Sequence, residues 1–177
     1  PTIWIAPEQA SFMQILLRAA RARDVVEVGT LAGVSAIAMA RALPSGGRVR
    51  TIEIEPKHVA FARRWIARSD VADRIEVIPG AGMDVLPTLA SDSADAAFLD
   101  ADKASYPLYL RECLRIVRPG GLVLADNALA FGQLLDPNPT LTQVQYVRAF
   151  NEVMAGTAGL QSVIVPLGDG LWVGVKR

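Results

Sequence analysis

The sequence predicts a doubly wound α/β fold: a mostly parallel, Rossmann-like sheet with helices on both faces and a C-terminal antiparallel hairpin strand. Short apolar runs rich in β-branched residues alternate with helical patterns along most of the chain, and parallel strands require such long crossovers. Near the C-terminus, by contrast, only residues 167–170 separate two β-rich runs. So short a link permits only an antiparallel hairpin.

The first helix is predicted to begin at Pro7 and Glu8, because proline suits the first helical position and an acid there complements the helix dipole. Phe12 and Leu16 then follow at helical spacing. The next run, over residues 24–29, is apolar, contains β-branched residues and ends in glycine. It indicates a buried strand.

The same alternation continues through the rest of the chain, with glycine, proline or serine at most junctions. It predicts helices over 33–43, 56–67, 106–117 and 144–154, a short helix near 84–89, and strands over 49–54, 75–78, 94–100, 122–125, 161–166 and 171–175. No internal repeat, low-complexity tract or linker divides the sequence. We therefore expect a single domain over residues 1–177.

The composition excludes several kinds of partner. Lys plus Arg equal Asp plus Glu at 18 each, so there is no bulk charge to hold nucleic acid or an anionic membrane. No apolar run approaches the ~18 residues that span a bilayer, and no signal-peptide pattern is present. The single cysteine, Cys113, predicts a buried thiol rather than a disulfide. We expect a cytoplasmic protein that binds a small neutral or zwitterionic ligand.

The loop after the first predicted strand has features of a ligand site. Gly29 and Gly33 allow close approach of the backbone, and the helix that follows offers free N–H groups to a carboxylate. Leu31 stands where the second glycine of a dinucleotide-binding loop would admit a pyrophosphate. The loop therefore favours a cofactor without a pyrophosphate.

Glu53 ends the second predicted strand, at the interval of about 20 residues after Gly33 where an acid reaches ribose hydroxyls. Either feature alone is equally compatible with a tight turn and a solvated acid. Their joint occurrence favours an adenosine with free ribose hydroxyls.

Four segments of the chain resemble the class I S-adenosylmethionine (SAM)-dependent methyltransferases, and among them the metal-dependent O-methyltransferases of the catechol and caffeoyl-coenzyme A type. The similarity extends from about Ala6 to the C-terminus. Its most specific parts are Leu99–Lys103 and Ala125–Asn127; the four segments are Glu27–Ala36, Thr51–Pro56, Phe98–Lys103 and Arg118–Asn127.

The resemblance implies that SAM is the cofactor, that a hydroxyl of a small phenolic or catechol-like acceptor is methylated, and that the protein is a homodimer. It assigns Ser35 to the methionine carboxylate, Glu53 to the ribose, and Gly82 with Met83 to the adenine edge. The full set of implied cofactor contacts is Glu27, Gly29, Gly33, Ser35, Glu53, Gly82, Met83 and Asp100.

Asp100, Asp126 and Asn127 follow or end two predicted strands, where they would converge on the ligand side of the sheet. Two carboxylates and an amide oxygen are hard ligands, suited to Mg²⁺, Ca²⁺ or Mn²⁺ rather than to zinc. Without the resemblance, capping of strands or helices explains the two acids equally well. With it, we expect a divalent metal site.

Lys103 matches the lysine that serves as general base in the family that the chain resembles. Methyl transfer to oxygen needs a nucleophile that is losing its proton, and a phenol is mostly protonated at neutral pH. A lysine considered alone is more often a solvated surface residue. The assignment of Lys103 as catalytic therefore depends on the resemblance.

Other candidates are weaker. His58 has no second ligand near it in sequence and is expected to be a solvated helix residue. Trp172 is expected in the core, while Trp4 and Ile5 are expected to be docked on the protein body or on a partner.

The chain departs from the family pattern in places that concern the acceptor. Ala130 and Phe131 stand where many relatives have a tryptophan and a polar residue, and Val165–Leu167 stands where catechol enzymes place an acid. A helical segment of the family that contributes to the substrate mouth precedes the region matched here. Two alternatives remain: a metal-independent methyltransferase, and a nucleotide-binding module without catalysis.

Overall fold

The computed structural model describes residues 4–177 and confirms the predicted fold class. Within these residues one sheet of seven strands runs in the order β3-β2-β1-β4-β5-β7-β6. The strands are β1 (Asp24–Val28), β2 (Arg48–Glu53), β3 (Ile75–Pro79), β4 (Ala94–Leu99), β5 (Val117–Ala125), β6 (Leu160–Val165) and β7 (Leu171–Lys176). The helices are α1 (Pro7–Ala19), α2 (Val34–Ala40), α3 (Pro56–Ile66), α4 (Gly82–Val85), α5 (Tyr106–Ile116) and α6 (Gln143–Gly156).

The direction of the strands follows the lengths of their connections. Strands β1 to β5 are mutually parallel where they pair, and helical crossovers connect them. Strand β7 is antiparallel to both β5 and β6, as the short link between β6 and β7 requires. Strand order reverses between β1 and β4, so their outgoing loops diverge and leave a crevice beyond the carboxyl ends.

The two faces of the sheet each have a core. Adjacent residues of a strand point to opposite faces, so Val25 and Phe98 lie in one core while Val26 and Leu99 lie in the other. The first core packs against α1 and α2, and the second against α5 and α6. Cys113 is a free, buried thiol of the second core, as predicted. Burial raises the pKa of this thiol to about 12.

The main difference from the predicted elements concerns β5. This strand begins at Val117, not at Leu122, because Val117 already pairs with Ala94. The register then shifts, so that Ala96 pairs with Leu122 and residues 118–121 bulge out of the ladder. The Arg-Pro-Gly-Gly sequence is therefore a bulge within a strand and not the end of a helix.

The helix after the first loop is also shorter than predicted, since α2 ends at Ala40 and turns occupy residues 41–43. In the range 4–177, no helix has the length and apolar character that a membrane span requires.

Candidate active site

A cavity of about 310 Å³ lies at the carboxyl ends of β1, β2 and β4, at the point where strand order reverses. This is where ligands bind in open α/β sheets. Its lining includes Gly29, Glu53, Gly82, Asp100 and Tyr109. A smaller adjoining pocket shares Gly29 and Asp100 and includes Ser35.

Gly29 determines how closely the loops after β1 and β4 approach. Its φ of 103° lies in a region that other residues rarely adopt. A Cβ at this position would lie 2.0 Å from the backbone oxygen of Asp100. Any side chain here would displace Asp100, which explains why the loop requires glycine. Gly33 is the N-cap of α2 and does not line the larger cavity.

Glu53 is held by backbone N–H groups on both of its carboxylate oxygens. Leu31 N donates to Oε2 at 2.8 Å, and Glu55 N donates to Oε1 at 2.9 Å. The residue is buried yet lines the cavity, and each of its oxygens retains a second lone pair for a ligand. This arrangement suits an acceptor for sugar hydroxyls.

Glu27 lies beneath the cavity and is fully buried, and neither adjacent pocket includes it in its lining. Thr51 Oγ1 donates to its Oε2 at 2.5 Å, and Thr30 Oγ1 lies 2.6 Å from the same hydroxyl. Burial raises the pKa of Glu27 to about 8, against the effect of the Ser35 and Thr51 hydroxyls. Glu27 Oε1 has no hydrogen-bond partner among the described residues, and the assignment of Glu27 as a cofactor contact stays a prediction.

The adenine side of the implied site contains residues that sequence reasoning missed. Gly82 lines the cavity as expected, whereas Met83 is 39% exposed and does not. Tyr109 Oη donates to Asp102 Oδ1 at 2.7 Å, and both residues line the cavity. Asp102 lies within the Leu99–Lys103 segment, so the sequence could have identified it as a site residue. Tyr109 could not be distinguished in the sequence from the other apolar residues of α5.

Asp100 and Asp126 form a second polar cluster, at the ends of β4 and β5. Asp126 is 6% exposed, and burial together with the negative charge of Asp100 raises its pKa to about 6. The positive charge of Lys103 opposes this rise. The two carboxylates therefore lie close enough to repel each other, as expected from adjacent strand ends.

Lys103 is buried, contrary to the general expectation for a lysine. Its side chain is 7% exposed, and Nζ donates to Asp100 Oδ1 at 3.2 Å and to Tyr106 Oη at 2.6 Å. Tyr106 Oη in turn donates to the Leu99 carbonyl at 3.0 Å. The amine is thus fixed beside Asp100 at the end of β4.

Gln9 of α1 is a further residue of this cluster that the sequence did not reveal. It is 2% exposed, and its Nε2 donates to Asp126 Oδ1 at 2.7 Å. Its Oε1 accepts the backbone N–H of Ala6 at 3.2 Å. No local signal identifies this glutamine, because Asp126 is 117 positions away along the chain.

The side chains of Asp100, Asp126 and Asn127 offer oxygen atoms, the type of ligand that a hard divalent cation prefers. The side chain of Asp126 accepts two hydrogen bonds, both at Oδ1, and the side chain of Asp100 accepts one, also at Oδ1. The side chain of Asn127 donates a hydrogen bond from Nδ2. Among the described residues no hydrogen bond reaches Asp126 Oδ2, Asp100 Oδ2 or Asn127 Oδ1. Three oxygens thus remain available as ligands.

No group of three or more His, Cys, Asp and Glu side chains in residues 4–177 could hold a metal ion. The expected set contains only two carboxylates, and its third member is an amide. Metal binding at Asp100, Asp126 and Asn127 therefore stays a prediction.

The weaker candidates lie near the cavity or in the core. His58 is exposed as expected, but its Nδ1 lies 3.6 Å from Glu53 Oε1. Trp172 is 5% exposed and lies in the core, as predicted. Ile5 is buried as expected, whereas Trp4 is 54% exposed and lines a shallow apolar cavity together with His58.

Comparison with known families supports an assignment for this arrangement. A family described as O-methyltransferase has a sequence model that matches residues 1–177. A catechol O-methyltransferase of Niastella koreensis is 40% identical over 180 residues, which cover 100% of this chain and 79% of that protein.

Solved structures of similar sequence share the fold. An O-methyltransferase from Bacillus cereus in complex with SAH (S-adenosylhomocysteine) has a TM-score of 0.90 at 34% identity, with 100% of this chain and 84% of that chain covered. The O-methyltransferase TomG from Streptomyces achromogenes, in complex with SAM, has a TM-score of 0.89 at 33% identity, with 100% and 83% covered.

Proposed function

Because the chain belongs to the O-methyltransferase family, we propose that it transfers the methyl group of SAM to a hydroxyl of a small phenolic or catechol-like acceptor, with the help of a divalent metal. The membership confirms the resemblance drawn from the sequence, and the protein is a SAM-dependent O-methyltransferase. One observation carries the finer proposal: Asp100 both lines the cavity and belongs to the cluster with Lys103 and Asp126.

The cavity suits SAM for reasons of charge and shape. Glu53 offers hydroxyl-accepting oxygens at the end of β2, and Gly29 keeps the loop after β1 free of side chains. Ser35 lies in the first turn of α2, where free backbone N–H groups favour a carboxylate. The related structures from Bacillus cereus and Streptomyces achromogenes contain SAH and SAM respectively.

Asp100, Asp126 and Asn127 would hold the metal through their oxygens. When bound, a divalent cation supplies Lewis-acid stabilisation of negative charge on the acceptor oxygen and fixes the direction of the acceptor. It would also offset the negative charge of Asp100, which adds to the effect of burial in raising the pKa of Asp126.

Lys103 would take the acceptor's proton as the new bond forms. The acceptor oxygen attacks the methyl carbon, the bond from that carbon to sulfur breaks, and the sulfonium becomes the neutral thioether of SAH. The O–H bond of the acceptor breaks, and the proton passes to Nζ of Lys103 in its neutral amine form, which becomes an ammonium. Tyr106 and Asp100 hold this amine at the end of β4. General base catalysis of this kind commonly contributes 10²- to 10⁴-fold.

The proposal is tested by incubating the purified protein with SAM, Mg²⁺ and a panel that contains catechol, simple phenols and aliphatic alcohols. We expect SAH and a methyl ether in equal amounts from a catechol or phenol, and none when the acceptor is left out. Tight SAM binding without methylation of any acceptor in the panel would contradict it. Catechol is included in the panel because a related protein from Niastella koreensis is named catechol O-methyltransferase.

The homodimer and the cytoplasmic location implied by the sequence stay predictions. Light scattering during gel filtration measures the first, and a mass near that of one chain would contradict it.

A further inference from the structure

The turn between β6 and β7 packs against the loop that follows β5. Ala128 N donates to the Gly170 carbonyl at 2.9 Å, and Leu129 N donates to the Asp169 carbonyl at 2.8 Å. These backbone bonds bring Asp169 next to Asn127, although 42 positions separate them along the chain.

The Asp169 side chain accepts three hydrogen bonds from this loop. Its Oδ2 receives Asn127 Nδ2 at 3.1 Å and Phe131 N at 2.8 Å, and its Oδ1 receives Gly132 N at 3.2 Å. Asn127, Ala130 and Phe131 all have positive φ, at 65°, 54° and 59°. Such a backbone is unfavourable for residues other than glycine and persists only where surrounding contacts hold it.

An ionised carboxylate can only accept hydrogen bonds, whereas the two ends of an asparagine amide differ. Asp169 therefore selects the amide orientation in which Asn127 turns its nitrogen to the turn. Asn127 Oδ1 is then directed away from Asp169, and no hydrogen bond from another described residue reaches it.

We propose that Asp169 is a positioning residue: it orients the amide of Asn127 so that an oxygen, and not an NH₂ group, is offered to the divalent cation. This inference rests on the proposed metal-dependent function. Without Asp169 nothing holds the nitrogen of the amide at the turn, and the amide can turn over and direct its NH₂ group, a donor, towards the cation. Partners that orient a ligand in this way typically change metal affinity by about 10- to 100-fold.

The experiment measures Mn²⁺ affinity by the electron paramagnetic resonance of free Mn²⁺, in the presence of saturating SAH. We expect Asp169→Ala to weaken Mn²⁺ binding about 10- to 100-fold. SAH affinity and the circular dichroism spectrum should be unchanged. Asp136→Ala is the matched control, because Asp136 is a carboxylate of the same loop region that accepts a backbone N–H from Asn138. It should leave Mn²⁺ affinity unaltered.

A rescue variant separates orientation of the amide from support of the loop. Asn127→Asp makes both terminal atoms oxygen, so that orientation no longer matters. Combined with Asp169→Ala, it should restore Mn²⁺ affinity to within about threefold of the wild type. A double variant as weak as Asp169→Ala alone would show that Asp169 only supports the loop. If Asp169→Ala does not fold, Asp169→Ser replaces it in both measurements.

The outcomes distinguish this inference from the proposed function. Wild-type affinity in Asp169→Ala would overturn the inference and leave the metal site standing. Failure of the wild-type protein to bind Mn²⁺ would overturn the metal-dependent function and the role of Asp169 with it.

Discussion

The carboxyl ends of β1 and β2 differ from those of β4 and β5 in how their acids are neutralised. Glu53, at the end of β2, receives a backbone N–H on each carboxylate oxygen. Asp126, at the end of β5, faces a second carboxylate, and the charge of Asp100 contributes to its raised pKa. The polypeptide alone therefore stabilises the charge of Glu53.

This difference indicates which kind of ligand each of the two sites would bind. The backbone N–H groups around Glu53 already stabilise its negative charge. Glu53 therefore suits a ligand group that is neutral, such as a ribose. The pair of Asp100 and Asp126 carries more negative charge than the Lys103 amine offsets, which favours a divalent cation. Lys103 lies between these two sites. A substitution of Lys103 should therefore change the rate of methyl transfer and leave cofactor and metal binding close to those of the wild type.

The largest effect is expected from Lys103→Arg. A guanidinium does not deprotonate at assay pH, so it cannot take the acceptor's proton. We expect kcat to fall at least ~100-fold while SAM and Mn²⁺ affinities stay close to those of the wild type. Steady-state kinetics measures kcat, and calorimetry measures the two affinities. Lys57→Arg is the control, because Lys57 is an exposed lysine of α3.

An acidic acceptor sharpens the test of Lys103. A nitro-substituted catechol is already ionised at the assay pH and needs no base. The loss in Lys103→Arg should be much smaller on this acceptor than on catechol. Equal losses on both acceptors would exclude proton removal as the role of Lys103.

A smaller effect is expected from Glu53→Gln, on the cofactor side. The variant keeps the shape of the side chain but weakens its acceptors, so SAM affinity should fall by the ~1.5 to 3 kcal/mol typical of hydrogen bonds to charged groups. Calorimetry measures it, and Glu55→Gln provides a neighbouring control, because Glu55 is exposed and caps α3. Unchanged SAM affinity in Glu53→Gln would refute the ribose assignment.

The last expected effect is on folding stability, not on binding or turnover, and concerns Glu27, which is buried below the cofactor side. Burial raises the pKa of Glu27 from 4.5 to about 8, so the folded state holds its proton more tightly than the unfolded state. The free energy of unfolding should therefore fall as pH rises from about 4.5 to about 8, by roughly 1 kcal/mol per pH unit from this group. Below that window both states are protonated, so the stability that this group provides is fully present and no longer changes with pH.

Glu27→Gln cannot ionise and should lack this fall. Denaturant unfolding at pH 5, 6.5 and 8 compares the two proteins. The variant should gain stability relative to the wild type as pH rises, and parallel pH dependences would show that Glu27 does not carry the shifted pKa.

Local patterns in the sequence were enough to predict the order of elements, the final hairpin and the strand-end positions of Glu53, Asp100 and Asp126. These features depend on periodicity and on short connections. The bulge at residues 118–121 was missed, since its glycines and proline also suit the end of a helix.

The partners of the site residues could not be predicted, because folding alone brings them there. Gln9 reaches Asp126 from α1, and Asp169 reaches Asn127 from the β6–β7 turn. The burial of Lys103 and Glu27 likewise depends on packing around the sheet ends and has no local signal.

Turnover of metal-free protein tests the central claim most directly, namely that the Asp100, Asp126 and Asn127 cluster works with a divalent cation. Protein treated with excess chelator is assayed with SAM and catechol, and Mg²⁺ is then added back in steps. We expect no methylated product before Mg²⁺ is added, unchanged SAM binding throughout, and recovery of turnover as Mg²⁺ exceeds the chelator. Full turnover in excess chelator would contradict the account and favour a metal-independent methyltransferase.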